Sequence, residues 1–268
     1  MSLTVLPGTK HREDDMALEP EVIAGLWRME EKHFWHRARN RWIARALEEA
    51  GLRPGARILD VGCGSGSVAV ALHRLGYRVT GIDTAEMLVR KAHERCPEAR
   101  FVVGDVAALP EAEGPFDAIT FFDVLEHLDE PAALLDSALR LARPGARVLA
   151  TVPALRSLHT VIDDLSGHKR RFEPGELSAL FGSVGLESVE ERGMFRAIWP
   201  LLKLSRARAR TPASEVPDRR KVLLADSRVP PRIVNEALEL LCRVELALAW
   251  NQAKDRRAPS ILAVGVRP

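Results

Sequence analysis

Between residues 55 and 153 the chain repeats one unit, a short apolar run followed by a break and usually an amphipathic stretch. "ARILDVG", "YRVTGID", "ARFVVGD", "FDAITFFD" and "ARVLATVP" have strand length, and "GSVAVALHRLG", "AEMLVRKAHERC" and "PAALLDSALRLARPG" have helix length. Continuous apolar runs suit strands buried on both faces of a sheet. Parallel neighbours need a crossover connection, which the intervening helices supply. After Pro153 a helix "PGELSALFGSVG", a sixth strand "LESVEERG" and a terminal seventh "ILAVGVRP" continue the pattern more loosely. The expected fold is α/β, a doubly wound and mostly parallel seven-stranded sheet.

Two regions lie outside this rhythm. Residues 1–15 are polar and read as loose, and residues 20–50 carry helical apolar spacing up to a stop at Gly51. About sixty residues separate the last two strands. They hold "MFRAIWPLLKLSR", amphipathic with a kink expected at Pro200, a basic Arg/Pro-rich stretch to about 230, and a long helix from Arg232 to Trp250. The chain thus divides into a tail and N-terminal helical cap (1–52), a core (53–192), a helical insertion (193–258) and the last core strand (259–268). For the insertion, three readings stand open: a lid over the site, a homodimer contact, or peripheral contact with a membrane surface.

Charge and cysteine usage narrow the function classes. A formal net charge of +2 lacks the basic excess of a nucleic-acid binder. Cys63, Cys96 and Cys242 are odd in number and lack metal-ligand spacing, as expected in a reducing cytoplasm. No stretch has the apolar length of a secretory leader or a spanning helix. Cys63, with no basic neighbour in sequence, reads as packing.

The first strand runs into "DVGCGSGS". Gly62, Gly64 and Gly66 allow a sharp turn and bring bare backbone close to a ligand at a helix N-terminus. A dinucleotide fingerprint would need glycine or alanine at 67, which is Ser67, and Asp60 precedes the first glycine by two positions.

Asp60-x-Gly62-x-Gly64-x-Gly66 resembles the motif of the class I S-adenosylmethionine-dependent methyltransferases, and the resemblance spans about residues 55–190. It implies a Rossmann-like core with S-adenosylmethionine as cofactor. In that family Asp83, closing the second strand, would hold the ribose hydroxyls, with Thr84 beside it. Asp105 and Val106 would meet the adenine, Met87 would pack on it, and Asp60 would lie near the amino group. Phe122 would border the cofactor. "HFWHRARNRWI" resembles the helix that folds over the cofactor in the same branch, with Arg39 offered to the methionyl carboxylate.

"FFDVLEH" places Asp123, Glu126 and His127 at the carboxyl end of the fourth strand, where ligands bind in such sheets. On a helix their spacing would put all three on one face. Two chemistries fit: His127 as general base, or Asp123, Glu126 and His127 ligating Mg2+ or another divalent cation. A structural role, with Glu126 capping and His127 buried, stands beside them. The segment resembles the acid-x-x-Glu-His of ubiquinone-biosynthesis O-methyltransferases and small-RNA 2′-O-methyltransferases, with Asp in place of the first Glu. In the RNA enzymes a later histidine completes the metal site, a part open to His168 or His159. "SGHKRRFEPGEL" adds His168, Arg170 and Arg171, which would receive an acidic or phosphorylated acceptor. The expected activity is methyl transfer to a small molecule, on the oxygen of a secondary metabolite, sugar or quinone-like compound. The alternatives are N- or C-methylation without metal, a cofactor-binding module without turnover, and a nicotinamide oxidoreductase.

Overall fold

A computed structural model describes residues 3–6, 20–207, 218–250 and 257–268. All seven expected strands form: β2 (Arg57–Val61), β3 (Arg78–Asp83), β4 (Arg100–Val103), β5 (Phe116–Phe122), β6 (Ala142–Pro153), β7 (Glu187–Met194) and β8 (Ser260–Val266). An eighth, β1 (Thr4–Val5), lies in the segment read as loose, and pairs in parallel with Val102 and Val103 at the sheet edge. Two residues carry too little periodicity to announce a strand. The order is β1-β4-β3-β2-β5-β6-β8-β7. Among the described strands, β8 alone runs antiparallel to its neighbours, β6 and β7.

Helices cover both faces. α2 (Phe34–Glu49), α3 (Ser67–Arg74), α4 (Glu86–Arg95) and α10 (Arg232–Ala249) bury Trp42, Leu47, Val70, Val89 and Cys242 in one cluster. On the other face α5 (Pro131–Leu139) and α7 (Glu176–Ser183) bury Leu135, Leu177 and Phe181. The carboxyl ends of β2 to β5 are left facing a short helix α6 (Val161–Leu165) and its following loop.

Three local features differ from the sequence reading. The helix expected over 20–50 is two helices, α1 (Pro20–Lys32) and α2, broken at His33. Asn235 of α10 satisfies the break from a distance: its Oδ1 accepts from Phe34 N at 2.9 Å and its Nδ2 donates to Lys32 O at 2.8 Å. Pro200 introduces no kink. It sits in the first turn of α8 (Trp199–Ala207), where its missing N–H is not needed. The insertion then continues with α9 (Arg219–Asp226), packed between α1 and α6, and α10, packed along α2. Part of the basic stretch, 208–217, lies outside the described residues.

The third difference concerns "DVLEH". Asp123 adopts φ 57°, and only Leu125–His127 form a single 3-10 turn. Asp123 N donates to Thr151 O at 2.9 Å, which holds the residue in the sheet until the chain swings left-handed. Aspartate tolerates that conformation better than most residues. The shared helical face therefore does not form.

Candidate active site

The glycine turn is shaped by its neighbours. Gly62 has φ 71°, and a Cβ there would lie 2.5 Å from Val124 Cγ2. Gly66 has φ 80° and caps α3, and a Cβ there would lie 2.7 Å from Ala92 Cβ on α4. Glycine is thus required twice, by backbone conformation and by close approach. Asp83 ties the turn to the next strand: its Oδ2 accepts from Gly64 N at 2.9 Å and its Oδ1 from Ala85 N at 2.8 Å.

Above this turn lies a cavity of about 410 Å³. Gly62, Gly64, Asp83, Thr84, Asp105 and Val106, all expected from the sequence, line it. Asp123 and His127 reach it from the far side. Asp105 also caps its own 3-10 turn, accepting from Ala107 N at 2.9 Å.

The other expected residues lie elsewhere. Met87 is exposed, and Leu88, one position on, faces the cavity instead. Gly66 and Phe122 belong to the supporting packing. Asp60 is buried beneath the turn, with its Oδ1 accepting from Thr120 Oγ1 at 2.9 Å. Burial pushes its carboxyl up to about 7, against the opposing effects of Thr120 and Arg39. Arg39 is buried and ion-paired with Asp123, and its Nε has no hydrogen-bond partner among the described residues. Asp123 also accepts from Thr151 Oγ1 at 3.0 Å. Cys63 is buried and its thiol is pushed up by burial, consistent with packing.

Several contributors were not read from the sequence. Leu26 of α1 lines the cavity, so the first helix forms a wall. Glu30 fastens that helix by pairing with Ser65 in the glycine turn and with Arg95 at 2.6 Å. Val124, Leu128 and Leu134 supply an apolar side, and Ser166 closes the rim. The signal for Leu26 and Glu30 was helical periodicity alone, which does not say which face meets the ligand.

Beside the cavity, Glu126, His127 and His168 converge, with one donor atom from each within 4.8 Å of the others. Of the set expected from "DVLEH", Glu126 and His127 come together here and His168 joins them, while Asp123 is held by Arg39 and Thr151. His159 instead pairs with Asp164 at 2.8 Å. Glu126 is fully buried, neither carboxylate oxygen has a hydrogen-bond partner among the described residues, and burial holds its pKa well above the usual range. Both histidines are oriented through Nδ1. His127 Nδ1 lies 3.1 Å from Gly167 O, and His168 Nδ1 lies 3.0 Å from Asp163 Oδ1. Each acceptor requires Nδ1–H, so the lone pair of each neutral ring sits on Nε2. The rings meet edge to face, 4.9 Å between centroids.

The arginines of the same loop are committed to the protein. Arg171 is buried against Asp163 and donates to Ala154 O, and Arg170 donates to Leu128 O and Asp129 O. The sequence alone offers both to an acidic or phosphorylated acceptor.

The profile of the methyltransferase domain family matches residues 34–191. The chain is a class I S-adenosylmethionine-dependent methyltransferase. Among its relatives is the ubiquinone biosynthesis O-methyltransferase of Xanthomonas axonopodis pv. citri (strain 306), 33% identical over 187 residues, which are 62% of this chain and 76% of that protein. Solved methyltransferases share the fold. Phosphoethanolamine N-methyltransferase 2 of Haemonchus contortus, with S-adenosyl-L-methionine bound, has a TM-score of 0.61 at 17% identity, covering 95% of this chain and 59% of that one. Magnesium protoporphyrin IX methyltransferase of Synechocystis PCC 6803 has a TM-score of 0.55 at 16% identity and covers 95% of both. This methyltransferase therefore takes S-adenosylmethionine as cofactor. Among its described residues no helix is long and apolar enough to cross a membrane.

Proposed function

We propose that the methyltransferase acts on a hydroxyl oxygen of a small, largely apolar acceptor of quinone-like or phenolic character. The observation that carries this reading is the meeting of Glu126 and His168 with His127, which lines the cavity. The activity named for the Xanthomonas relative, an O-methyltransferase of ubiquinone biosynthesis, supports it. So do the apolar wall of Val124, Leu128 and Leu134 and the engagement of Arg170 and Arg171, which leaves little to attract an acidic acceptor.

When bound, the cofactor supplies a sulfonium methyl for in-line displacement by oxygen. The chain's part is to place the reactants and prepare the nucleophile. In this reading Asp83 and Asp105 orient the adenosine, and Arg39, outside the cavity lining, acts by holding the Asp123 carboxylate at the cavity wall. His127 Nε2 takes the acceptor proton, while Gly167 O holds the ring by its other nitrogen. His168, oriented by Asp163, stands behind it.

A second reading rests on one further observation, the pair of buried Glu126 oxygens without hydrogen-bond partners. One carboxylate and two Nε2 atoms make a donor set suited to a divalent cation. Glu126, His127 and His168 would hold it, and it would lower the pKa of the acceptor hydroxyl.

The cysteines are all buried and unpaired, which suits the cytoplasmic setting we assign. The test is conversion of S-adenosylmethionine to S-adenosylhomocysteine with a panel of catechols and hydroquinones, with and without chelator, and mass analysis of the products. O-methyl product in both arms supports the His127 base, and loss under chelator restored by magnesium or manganese supports the cation. N- or C-methyl product from a mixed panel, or no turnover at all, contradicts the proposal.

A further inference from the structure

α10 is turned against its own hydrophobic pattern. Its buried side carries Asn235, Glu239 and Glu245 as well as Cys242. Asn235 bridges the α1–α2 break, Glu239 pairs with Arg37 at 2.7 Å and Arg41 at 2.5 Å, and Glu245 accepts from Arg196 N and Ala197 N. These partners fix the rotation of the helix. The opposite side therefore faces solvent with Ile233 85% exposed, Leu248 72% and Leu240 59%, joined by Val234, Leu241 and Val244. From Ile233 to Leu248 this apolar stripe is about 22 Å long at the helical rise of 1.5 Å per residue. Single exposed leucines are ordinary, but a continuous stripe of this kind marks a docking surface.

Within the stripe Glu236 and Arg243 are exposed and charged, and Arg232 stands just before it. Glu236 also meets Arg37 of its own chain at 3.1 Å, across an exposed contact that it can exchange, so the Glu236 and Arg243 charges point to the partner. Seven apart, they lie on the same edge of the helix. In an antiparallel pairing of two copies about a two-fold axis near Leu240, like edges meet, and Glu236 of each copy falls opposite Arg243 of the other. A helix lying on anionic lipid would instead carry lysine and arginine along its polar flanks. The segments of this sequence outside the described residues, such as "PGTKHREDDMALE" and "RARTPASEVP", are too polar to cover the stripe. We infer that a second copy of this chain docks there, α10 against α10 antiparallel, closed by two Glu236–Arg243 pairs.

Sedimentation velocity over a micromolar concentration series tests this on the full chain, with circular dichroism as the fold control. The wild type should sediment as a dimer. Leu240→Glu, at a position already exposed, should raise the dimer dissociation constant by about tenfold or more without altering the helical spectrum. Arg243→Glu should weaken the dimer, and adding Glu236→Arg should return the constant to within about threefold of wild type, since the cycle isolates the pair. A wild type that stays monomeric overturns the inference. So does a double variant no tighter than the single, or a monomer that floats with anionic phosphatidylglycerol vesicles.

Discussion

His168 presents Nε2 to Glu126 Oε1 across 4.0 Å, with its Nδ1 anchored at 3.0 Å on the buried Asp163. That separation is too long for a hydrogen bond and leaves both carboxylate oxygens of Glu126 without one. A buried carboxyl in this state costs stability and is tolerated where the site uses it.

Substitution separates the two uses. His127→Ala should lower kcat by about 10²–10⁴-fold, the usual contribution of a general base, with the dissociation constant for S-adenosylhomocysteine within about twofold of wild type. Glu126→Gln should lower kcat comparably only if a cation is held, and the melting temperature should fall little, because no hydrogen bond is lost. Steady-state kinetics with and without chelator, alongside calorimetry of product binding, give both readouts.

Gly66→Ala should destabilise the fold by about 1–3 kcal/mol. The new Cβ meets Ala92 Cβ at 2.7 Å and its Cα at 3.1 Å, and φ 80° is unfavourable for alanine. Denaturant unfolding measures this. A change below half a kcal/mol would show that α3 and α4 separate without strain.

Asp60 should govern part of the pH dependence of stability. Its folded pKa, raised by burial to about 7 from 3.8, means the native state keeps a proton that the unfolded chain releases first. Stability from this group is therefore full below the unfolded value and falls as pH rises towards 7, by about 2 kcal/mol between pH 5.5 and 7. Asp60→Asn should flatten that slope. Thermal melts of both proteins across the window decide the matter, and parallel slopes would assign the dependence to other groups.

The parallel core was legible because its strands are continuous apolar runs between helices of ordinary length, and Asp83, Asp105 and the glycines were legible because they sit at strand ends. What the sequence concealed depends on distant partners. The break at His33 is satisfied by Asn235, about two hundred residues away. Asp123 stands apart from Glu126 and His127 because Arg39 and Thr151 hold it, and local spacing encodes neither contact. Asp163 orients His168 across a turn, and nothing in the local sequence marks it for that part. Likewise, the pattern of α10 predicts its leucines inward, and only the arginines of α2 and the backbone N–H groups of Arg196 and Ala197 show why Glu239 and Glu245 are there.

The grip on the adenosine is tested most directly by titrating S-adenosylhomocysteine into wild type and Asp83→Ala in a calorimeter. Loss of a charge-assisted hydrogen bond costs about 1.5–3 kcal/mol, so the variant should bind at least about tenfold more weakly. Binding of the wild type with the variant inside twofold would show that the ribose is held elsewhere, and no heat from either protein would contradict the site itself.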